Sequence, residues 1–585
     1  MSPTLLTFLL LPLLTSSLSV IHTITLDGGK TTPSLSLEIS ASVCVGFLRT
    51  QSGSDSYYIV GGDGGQFPSE PEKDAYWLST LYPESTAVPV ESVTSFVQND
   101  CIYKFHKVIH YSYETQRDLL PQIISLATHF KAVPIAIEDA VSDTGETVVF
   151  DATKEWSGFT PAESITYLLD NFSSTFISDK LCKVNPGYQY PDSRHPLNYT
   201  LSSNIEYSII DYAVSNSIFT FFLPLGCVPF TSDHAVHERV VQTFSSSNNS
   251  GMPITVYGYD NTVPIFGGDT YEAETNCVRE HSMGQVASHL PNVGFKDGEE
   301  AKAELPFVPK DRKEVKYDPS KIYVSITVGD GDNFWHLKYS HYNLMDQRSQ
   351  KCQAEPAKCF PMSWTVSPEA ARDGVMPDVI NNLFERMRNS GGDDRIVLPP
   401  SGSLYSYPGM MPSSGQDEYI KLMDSDLTNF GTRVSVHWEW FYDWVHTFRT
   451  YFPKWSDHTG GEPRGFILTN VPYLFPMGLF ASPKTDFKVI GDSVYLFRPN
   501  EWRYGSMKGS LSSSEMADKV NNFDSGYISP IYTTRDGSLD VVNMSWDMVG
   551  MLNDNVQVVD VETLLDLAVQ KQRLKREGGE LIEHA

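Results

Sequence analysis

The second half of this chain alternates short apolar segments with amphipathic ones, and this alternation constrains the fold more than any other feature. Helical patterns separate segments that are typical of buried strands. Seven or eight strand–helix units in about 260 residues predict a (β/α)-barrel, and a doubly wound open sheet is the alternative. The predicted strands lie at 322–328, 362–366, 395–398, 433–440, 465–469, 492–497, 527–533 and 556–560, and the predicted helices at 371–389, 415–429, 441–451, 512–522 and 561–575.

The first half follows a similar but less regular pattern, which predicts α/β layers with mostly parallel sheets. A charged stretch at 296–321 separates the two halves. We therefore expect a Rossmann-like layered region at 20–310, a TIM-barrel-like (β/α)7–8 domain at 315–576 and a charged tail at 577–585. Predicted strands of the first half lie at 57–60, 107–111, 133–138, 217–223 and 253–259, predicted helices at 74–82, 115–130 and from about 235, and predicted loops at 139–160 and 174–205.

Residues 1–19 resemble a secretory signal, because an apolar run from Leu5 to Leu14 is followed by the small residues Ser17 and Ser19. The run is too short to cross a bilayer, and no later stretch predicts a membrane helix. We expect a protein of the secretory pathway that is not inserted in the membrane once the signal is removed. Sequons begin at Asn171, Asn198, Asn248 and Asn543, where N-glycans could be attached.

A secreted chain can form disulfides. Of the seven cysteines, Cys352 and Cys359 are seven residues apart in a proline-bearing loop, which predicts a local bridge. The odd number leaves at least one thiol free. No spacing of cysteine or histidine indicates zinc, and we expect no cofactor. The 72 acidic residues outnumber the 44 basic ones, which argues against a nucleic-acid partner.

Polar side chains follow the first predicted strand of the second half, in GDGDNFWH. Asp330 and Asp332 stand beside Asn333 on a glycine-rich turn, and Trp335 and His336 follow. A calcium loop is one alternative, but its twelfth position would be His341 rather than glutamate. A turn in which the aspartates and the asparagine hydrogen-bond the backbone is the other. In a barrel or an open sheet, this position lies on the binding face.

The predicted strand at 433–440 places its polar residues on one face. Side chains alternate along a strand, so Ser435, His437 and Glu439 lie opposite Val434 and Val436 and their neighbours Trp438 and Trp440. If the apolar face packs under the helices, the polar face points into the barrel with Glu439 nearest the rim. A carboxylate and an imidazole buried there are candidate functional groups, with a buried ion pair as the alternative.

Two tyrosines, Tyr405 and Tyr407, occupy a loop rich in glycine and proline after the third strand. We expect this loop to hold both rings over the barrel mouth, where they could bind a sugar face; packing onto neighbouring loops is the alternative. Glycoside hydrolysis needs two carboxylates beside the scissile bond. Asn470, Arg498 and Glu501 follow later strands and could line the same cleft.

The segment GDDRIVLPPSGSLYSYPGMMP resembles the signature of the GxGYxYP family of glycoside hydrolases. Gly402, Tyr405, Tyr407 and Pro408 match the motif, and Leu404 replaces its second glycine. VGDGDNFWHL is similar to the SDGDN segment of the family, with glycine in place of serine, and MSWTVSPEAARDGVMPDVI is similar to its W-x-x-SP segment. The resemblance covers roughly residues 35 to 570.

The resemblance implies an N-terminal α/β region, a TIM-barrel-like domain and a carbohydrate substrate. We predict a secreted glycoside hydrolase of oligosaccharides or polysaccharides, with Asp332 and Glu439 as the acid–base pair and Asp330 as a substitute. A non-catalytic carbohydrate-binding protein and a metal-dependent hydrolase that uses the GDGDN loop are the alternatives. The predicted substrate-binding residues are Asn333, Trp335, His336, Tyr405, Tyr407, His437, Asn470 and Arg498.

Overall fold

The structure is a computed structural model of the chain. It describes residues 20–577 except 28–33, 52–55, 63–69, 140, 142–144, 190–198, 202–204, 206–208, 247–250, 259–275, 282, 287–289, 296–301, 313, 392, 441–442, 470–484, 499, 504–509 and 535–539. The predicted signal segment, Asn198 and Asn248 therefore lie outside the described residues.

The first half contains small parallel sheets separated by helices, as the alternating pattern predicts. Three sheets have the strand orders β2-β1-β3, β5-β4-β6 and β10-β7-β11-β12, and β8 and β9 form an antiparallel pair. The strands are β1 Val20–Leu26, β2 Ser56–Gly61, β3 Thr86–Pro89, β4 Lys107–Tyr111, β5 Val133–Ala136, β6 Thr147–Asp151, β7 Lys180–Lys183, β8 Tyr188–Gln189, β9 Thr200–Leu201, β10 Phe219–Phe221, β11 Ile254–Tyr257 and β12 Met283–Val286.

The helices of the first half include one that the sequence pattern does not predict, Leu35–Leu48. This helix is buried along almost its whole length, so it lacks the polar face that marks an amphipathic helix. The predicted loop regions also contain short elements, among them β6 and β7. The α-helices described here are Leu35–Leu48, Pro71–Leu81, Val93–Phe96, Tyr103–Phe105, Tyr113–Gln116, Leu120–Phe130, Ala152–Glu155, Pro161–Phe172, Ile210–Ser215, Ser232–Phe244 and Asn276–His281.

Every strand predicted in the second half is present. Two further strands, β18 and β20, flank the predicted strand at 492–497, and four α-helices, at 334–336, 342–354, 451–459 and 541–550, are additional to the predicted ones. The strands are β13 Ile322–Val328, β14 Ser363–Thr365, β15 Arg395–Val397, β16 Val434–His437, β17 Arg464–Leu468, β18 Phe487–Ile490, β19 Val494–Phe497, β20 Glu501–Arg503, β21 Ile528–Thr534 and β22 Val556–Val558. The α-helices are Phe334–His336, Tyr342–Ala354, Pro377–Asn389, Ser413–Asn429, Trp444–Arg449, Tyr451–Thr459, Ser513–Asn521, Val541–Gly550 and Val561–Glu577.

The strands of the second half pair almost entirely in parallel. One sheet has the order β15-β14-β13-β21-β20, with β22 paired to the amino end of β13, and another has the order β16-β17-β19-β18. A parallel bridge between Leu398 and Ser435 joins β15 to β16. Because neighbouring strands run in parallel, their carboxyl ends meet at one edge. The chain is thus a mixed α/β protein, as predicted.

The two faces of these strands pack against different partners. Side chains such as Val324, Ile326 and Trp364 join the large core beneath the helices. Tyr323, Val434, Ile467 and Tyr495 face the other way and pack with leucines of the C-terminal helix, Leu564, Leu565 and Leu567. The C-terminal helix therefore covers the face that the other helices leave open.

The two halves are joined by direct contacts. Backbone hydrogen bonds link Gln285 of β12 to Tyr405 of the second half, at 2.9 and 3.2 Å. Asp74 accepts hydrogen bonds from Lys338 at 2.7 Å and from the Tyr339 hydroxyl at 2.6 Å, and all three side chains are buried. Paired buried charges of this kind hold the first half in a defined position, because either ion alone would be costly to bury.

Three disulfides cross-link the described residues. Cys352–Cys359 is the predicted local bridge and is confirmed. Cys44–Cys101 and Cys227–Cys277 span 57 and 50 residues, which sequence spacing alone does not reveal. Cys182 is the free cysteine and is buried. Within the described part of the chain, no helix has the length and apolar character needed to cross a membrane.

Candidate active site

The GDGDN loop follows β13 and fits tightly between neighbouring strands. A Cβ at Gly331 would overlap the carbonyl oxygen of Thr365, and one at Gly329 would overlap that of Thr533 and lie 2.8 Å from the Tyr532 hydroxyl. The glycines are therefore required for close approach rather than for flexibility. Asp330, between them, has a φ of 65°, in the left-handed region. The loop is held in one strained conformation, which is common at functional sites.

Three carboxylates act on Tyr532 near the carboxyl end of β21: Asp330 and Asp332 follow β13, and Glu501 is the first residue of β20. Burial raises the pKa of Tyr532 well above its usual range, and the negative charges of Asp330, Asp332 and Glu501 raise it further. Glu501 is the register partner of Tyr532 on the adjacent strand. Asp330 and Asp332 are partly exposed, as is Glu501. The tertiary structure thus brings together acids that lie about 170 residues apart in the sequence.

Basic side chains flank Glu501. Burial lowers the pKa of the Lys519 ammonium, the Arg498 guanidinium lowers it further, and Glu501 opposes both. Arg498, a predicted substrate-binding residue, therefore lies in the electrostatic neighbourhood of this carboxylate cluster.

The other predicted residues of the GDGDN segment have structural contacts. Asn333 caps the short helix Phe334–His336, because its Oδ1 accepts a hydrogen bond from the Trp335 amide at 2.9 Å. The Trp335 ring packs edge-on against His336 and Tyr339, and the Lys73 ammonium of the first half lies 5.7 Å from its centroid. His336 is buried. Asn333 therefore follows the alternative interpretation, in which its side chain hydrogen-bonds the backbone of the turn.

The tyrosine loop does not project freely over the sheet edge. Its backbone pairs with β12, and Tyr407 is 4% exposed, so for Tyr407 the alternative of packing onto neighbouring elements describes the observed geometry. Only Tyr405 remains partly exposed, edge-on to the partly exposed Trp438 at 5.1 Å between ring centroids. Gly402 of the motif has a φ of 93°, and a Cβ there would lie 2.5 Å from the Met423 sulfur. Glycine is therefore needed at this position for two separate reasons.

Tyr407 belongs to a buried cluster that both halves build. Its ring lies edge-on to Trp440, 6.2 Å between centroids. The guanidinium of Arg279, from the first half, stacks over Trp440 at 4.4 Å, which is a cation–π contact. Val278 packs into the same cluster. The loop is thus held between the halves, and Tyr405 and Trp438 form its partly exposed edge.

His437 and Glu439 form a buried pair. The Nε2 of His437 lies 3.0 Å from Oε1 of Glu439, which also accepts a hydrogen bond from the Gly409 amide at 2.7 Å. Both side chains are 0% exposed. Burial lowers the pKa of His437 to about 3 and raises that of Glu439 well above its usual range. Burial thus disfavours the charged form of both groups, and Glu439 anchors the end of the tyrosine loop at Gly409.

The predicted orientation of this strand is wrong. The His437 ring stacks on Tyr451 at 5.4 Å and contacts Phe452 at 4.9 Å, so the polar face lies under helix Tyr451–Thr459. Val434 and Val436 face the other way, toward the C-terminal helix. Alternation predicts which residues share a face, but here the leucines of a distant helix decide where the apolar face packs.

The strand order separates Glu439 from Asp332. Two strands, β14 and β15, lie between β13 and β16. At about 4.8 Å per strand, the two backbones are about 14 Å apart along the sheet. One strand, β21, lies between β13 and β20, which places Glu501 about 10 Å from the Asp330–Asp332 loop. The structure therefore brings Glu501, rather than Glu439, to the aspartates.

Asn470 lies outside the described residues. Among the residues that are described, no group of three or more histidine, cysteine, aspartate or glutamate side chains is arranged to hold a metal ion. Of the two described sequon asparagines, Asn171 is exposed near the end of helix Pro161–Phe172 and Asn543 is partly buried in helix Val541–Gly550.

Comparison with known proteins confirms the family resemblance over part of the chain. Residues 320–458 match the family model described as "GxGYxYP putative glycoside hydrolase C-terminal domain". The crystal structure of a putative hydrolase from Bacteroides thetaiotaomicron is similar over 94% of this chain and 95% of its own, with a TM-score of 0.65 and 15% sequence identity. At that identity the likeness shows the fold alone. No curated protein matches the chain. The description of the family model names a glycoside hydrolase and supports a hydrolase role.

Proposed function

We propose, from the match of residues 320–458 to the GxGYxYP family, that this protein is a glycoside hydrolase acting on oligosaccharides or polysaccharides. The carboxylate cluster around Tyr532 is the observation on which the proposal depends. Glycoside hydrolysis requires one carboxylic acid to protonate the leaving oxygen and a second carboxylate to attack or to activate water. Asp330, Asp332 and Glu501 are partly exposed and supply carboxylates for both roles.

The sheet pairings favour a closed barrel of seven strands. β19 pairs with β17, and β20 pairs with β21. β19 ends at Phe497 and β20 begins at Glu501, so the two sheets are joined in the sequence where these strands follow each other, and we infer that they close into a ring. In such a barrel the carboxyl ends of the strands form the active-site face. Asp330 and Asp332 follow β13, and Glu501 lies beside Tyr532 near the end of β21.

We assign the acid–base pair to Asp332 and Glu501, with Asp330 as the substitute for Asp332. This replaces the pairing of Asp332 with Glu439. A separation of about 10 Å between the two backbones allows side chains to approach within the range of about 5–9.5 Å that glycosidases use, whereas Glu439 is buried and lies beyond two intervening strands. The positive charges of Arg498 and Lys519 lie in the electrostatic neighbourhood of Glu501.

The aromatic edge formed by Tyr405 and Trp438 is the proposed contact for a sugar ring. The apolar face of a sugar stacks on aromatic side chains, and these two remain partly exposed. Tyr407, Trp440 and Arg279 would hold that edge in position without touching substrate. The first half would then complete the site by pairing with the tyrosine loop through Gln285.

Amide substitutions test the assignment, because Asp332→Asn and Glu501→Gln keep the shape of each side chain and remove its charge. We expect each variant to fold and to lose at least about 100-fold of kcat/KM on a responsive member of a glycan panel, the effect of removing acid–base catalysis. Asp393→Asn, an acid of the second half outside the cluster, is the matched control. Undiminished activity in both variants would refute the pair.

A non-catalytic carbohydrate-binding protein is the second candidate, favoured by the partly exposed Tyr405–Trp438 edge. Glycan binding without turnover, weakened by Tyr405→Ala, would support it over hydrolysis.

Secretion and N-glycosylation belong to the same proposal. The apolar segment at 5–14 supports export, and the exposed Asn171 is an accessible acceptor. Release of the chain into the medium, with a mass that falls after glycosidase treatment, would test both.

A further inference from the structure

Three buried hydroxyl groups on two adjacent strands of the second half have no hydrogen-bond partner within the part of the protein that the structure describes. They belong to Ser325 and Thr327 of β13 and to Ser363 of β14. All three residues are 0% exposed. A hydroxyl buried without a partner is unfavourable, because it gives up its hydrogen bonds to water.

The three hydroxyls share one face of the sheet and lie next to one another. Ser325 and Thr327 are two residues apart on β13, so their side chains point the same way. Thr327 is the register partner of Ser363 on β14, and neighbouring strands are about 4.8 Å apart. The hydroxyls therefore line one small region of the interior.

Neighbouring polar side chains on this face are already satisfied. The Thr365 hydroxyl donates to the Val328 carbonyl at 2.7 Å and accepts from the Gly331 amide at 2.9 Å. The guanidinium of Arg395, beside Ser363, donates to the backbone carbonyls of Asp394 and Lys310. These groups are therefore engaged elsewhere and do not satisfy the three hydroxyls.

Apolar side chains surround the three hydroxyls. Tyr323 precedes Ser325 on the same face of β13, and Pro530 is the register partner of Ser325 on β21. Val397 lies on the same face of the sheet, on β15, which is the strand next to that of Ser363. Together with the buried Thr365 and Arg395, these side chains separate the three hydroxyls from bulk solvent. A neutral ligand that both donates and accepts hydrogen bonds fits this chemistry better than an ion does.

We propose that Ser325, Thr327 and Ser363 form a binding site for ordered water inside the second half of the protein. A buried water typically makes about three hydrogen bonds to otherwise unsatisfied polar groups, which is the number of hydroxyls here. Tyr532 is the register partner of Thr327 on β21, so the site lies beside the tyrosine that the three carboxylates act on. The inference does not depend on the proposed function.

Thr327→Val tests the site because valine has the shape of threonine without its hydroxyl. If water is bound, the variant loses a hydrogen-bonding partner of that water, and its Tm falls by several degrees. If the region is dry, removing an unsatisfied hydroxyl raises Tm. Thr533→Val is the matched control, since the Thr533 hydroxyl donates directly to the Thr327 carbonyl at 3.1 Å and is equally buried.

The Thr533 hydroxyl also accepts a hydrogen bond from the Gly329 amide at 3.4 Å, so the control calibrates the loss of a hydroxyl whose hydrogen bonds are satisfied. The hydrated site predicts changes of the same sign in both variants, and the dry site predicts opposite signs. Ser363→Ala and a high-resolution crystal structure of the unmodified protein provide the second measurement if Thr327→Val does not fold. Electron density for water within hydrogen-bond distance of at least two of the hydroxyls supports the site. An interior without such density, or a stabilised Ser363→Ala variant, overturns it.

Discussion

Replacing Glu439 distinguishes a residue that anchors the tyrosine loop from one that performs catalysis. The glutamate accepts hydrogen bonds from the Gly409 amide and lies 3.0 Å from Nε2 of His437, and its pKa is raised well above the usual range by burial. A neutral carboxyl group has nearly the shape and hydrogen-bonding capacity of an amide. We therefore expect Glu439→Gln to change the free energy of unfolding by less than about 1 kcal/mol.

Glu439→Ala removes the acceptor entirely. The Gly409 amide and the His437 nitrogen then remain buried without this partner, and each such group costs about 1–3 kcal/mol. The expected destabilisation is about 2–6 kcal/mol, a large part of the stability of a typical domain. Urea unfolding followed by fluorescence measures both variants, because a loosened loop also changes the environment of Trp438 and Trp440.

Activity of Glu439→Gln on the glycan panel completes the test. An anchoring role predicts activity within a few-fold of the unmodified protein, while Asp332→Asn loses it. Two results would refute this reasoning. If Glu439→Gln is destabilised as much as Glu439→Ala, the carboxylate is charged in the folded protein. If Glu439→Gln is stable but inactive, Glu439 belongs to the catalytic pair.

Three further measurements test the packing and the buried ionisable groups. Gly409→Ala should destabilise the protein by about 1–3 kcal/mol in urea unfolding, because its Cβ would overlap the Thr447 hydroxyl and lie 3.0 Å from Glu439. The control Gly550→Ala lies in open space on a helix and should stabilise the protein by up to about 1 kcal/mol. Equal effects of the two substitutions would contradict the steric argument. Burial lowers the pKa of His281 to about 3, so its contribution to stability is present above about pH 6.5 and is lost as the pH falls toward 3. The free energy of unfolding, measured in urea between pH 7 and 4, should therefore fall with pH, and His281→Asn should reduce that slope by up to about 1.4 kcal/mol per pH unit. An unchanged slope would contradict the burial of a neutral His281. Burial raises the pKa of the Cys182 thiol to about 12, so a thiol reagent should modify one cysteine per chain only after unfolding, and rapid modification of the native protein would contradict this burial.

Local features of the protein follow directly from its amino-acid sequence. Strands such as β13 and β16 appear where the apolar runs predict them, since periodicity and β-branched residues are properties of the local chain. The bridge between Cys352 and Cys359 was predictable because seven residues cannot carry the two thiols far apart. The GDGDN segment was also recognisable from its glycines and acids, although their close approach to Thr365 and Thr533 was not.

Contacts between side chains that are distant in the sequence follow from the tertiary structure alone. The face of β16 that carries His437 and Glu439 lies under helix Tyr451–Thr459, because leucines from the C-terminal helix occupy the other side. Tyr407 is buried because β12, more than 100 residues away, pairs with its loop. Glu501 reaches the aspartates through a strand order that its own sequence does not encode. A short segment specifies which side chains share a face, whereas the partner of that face is chosen by the free energy of packing the whole chain.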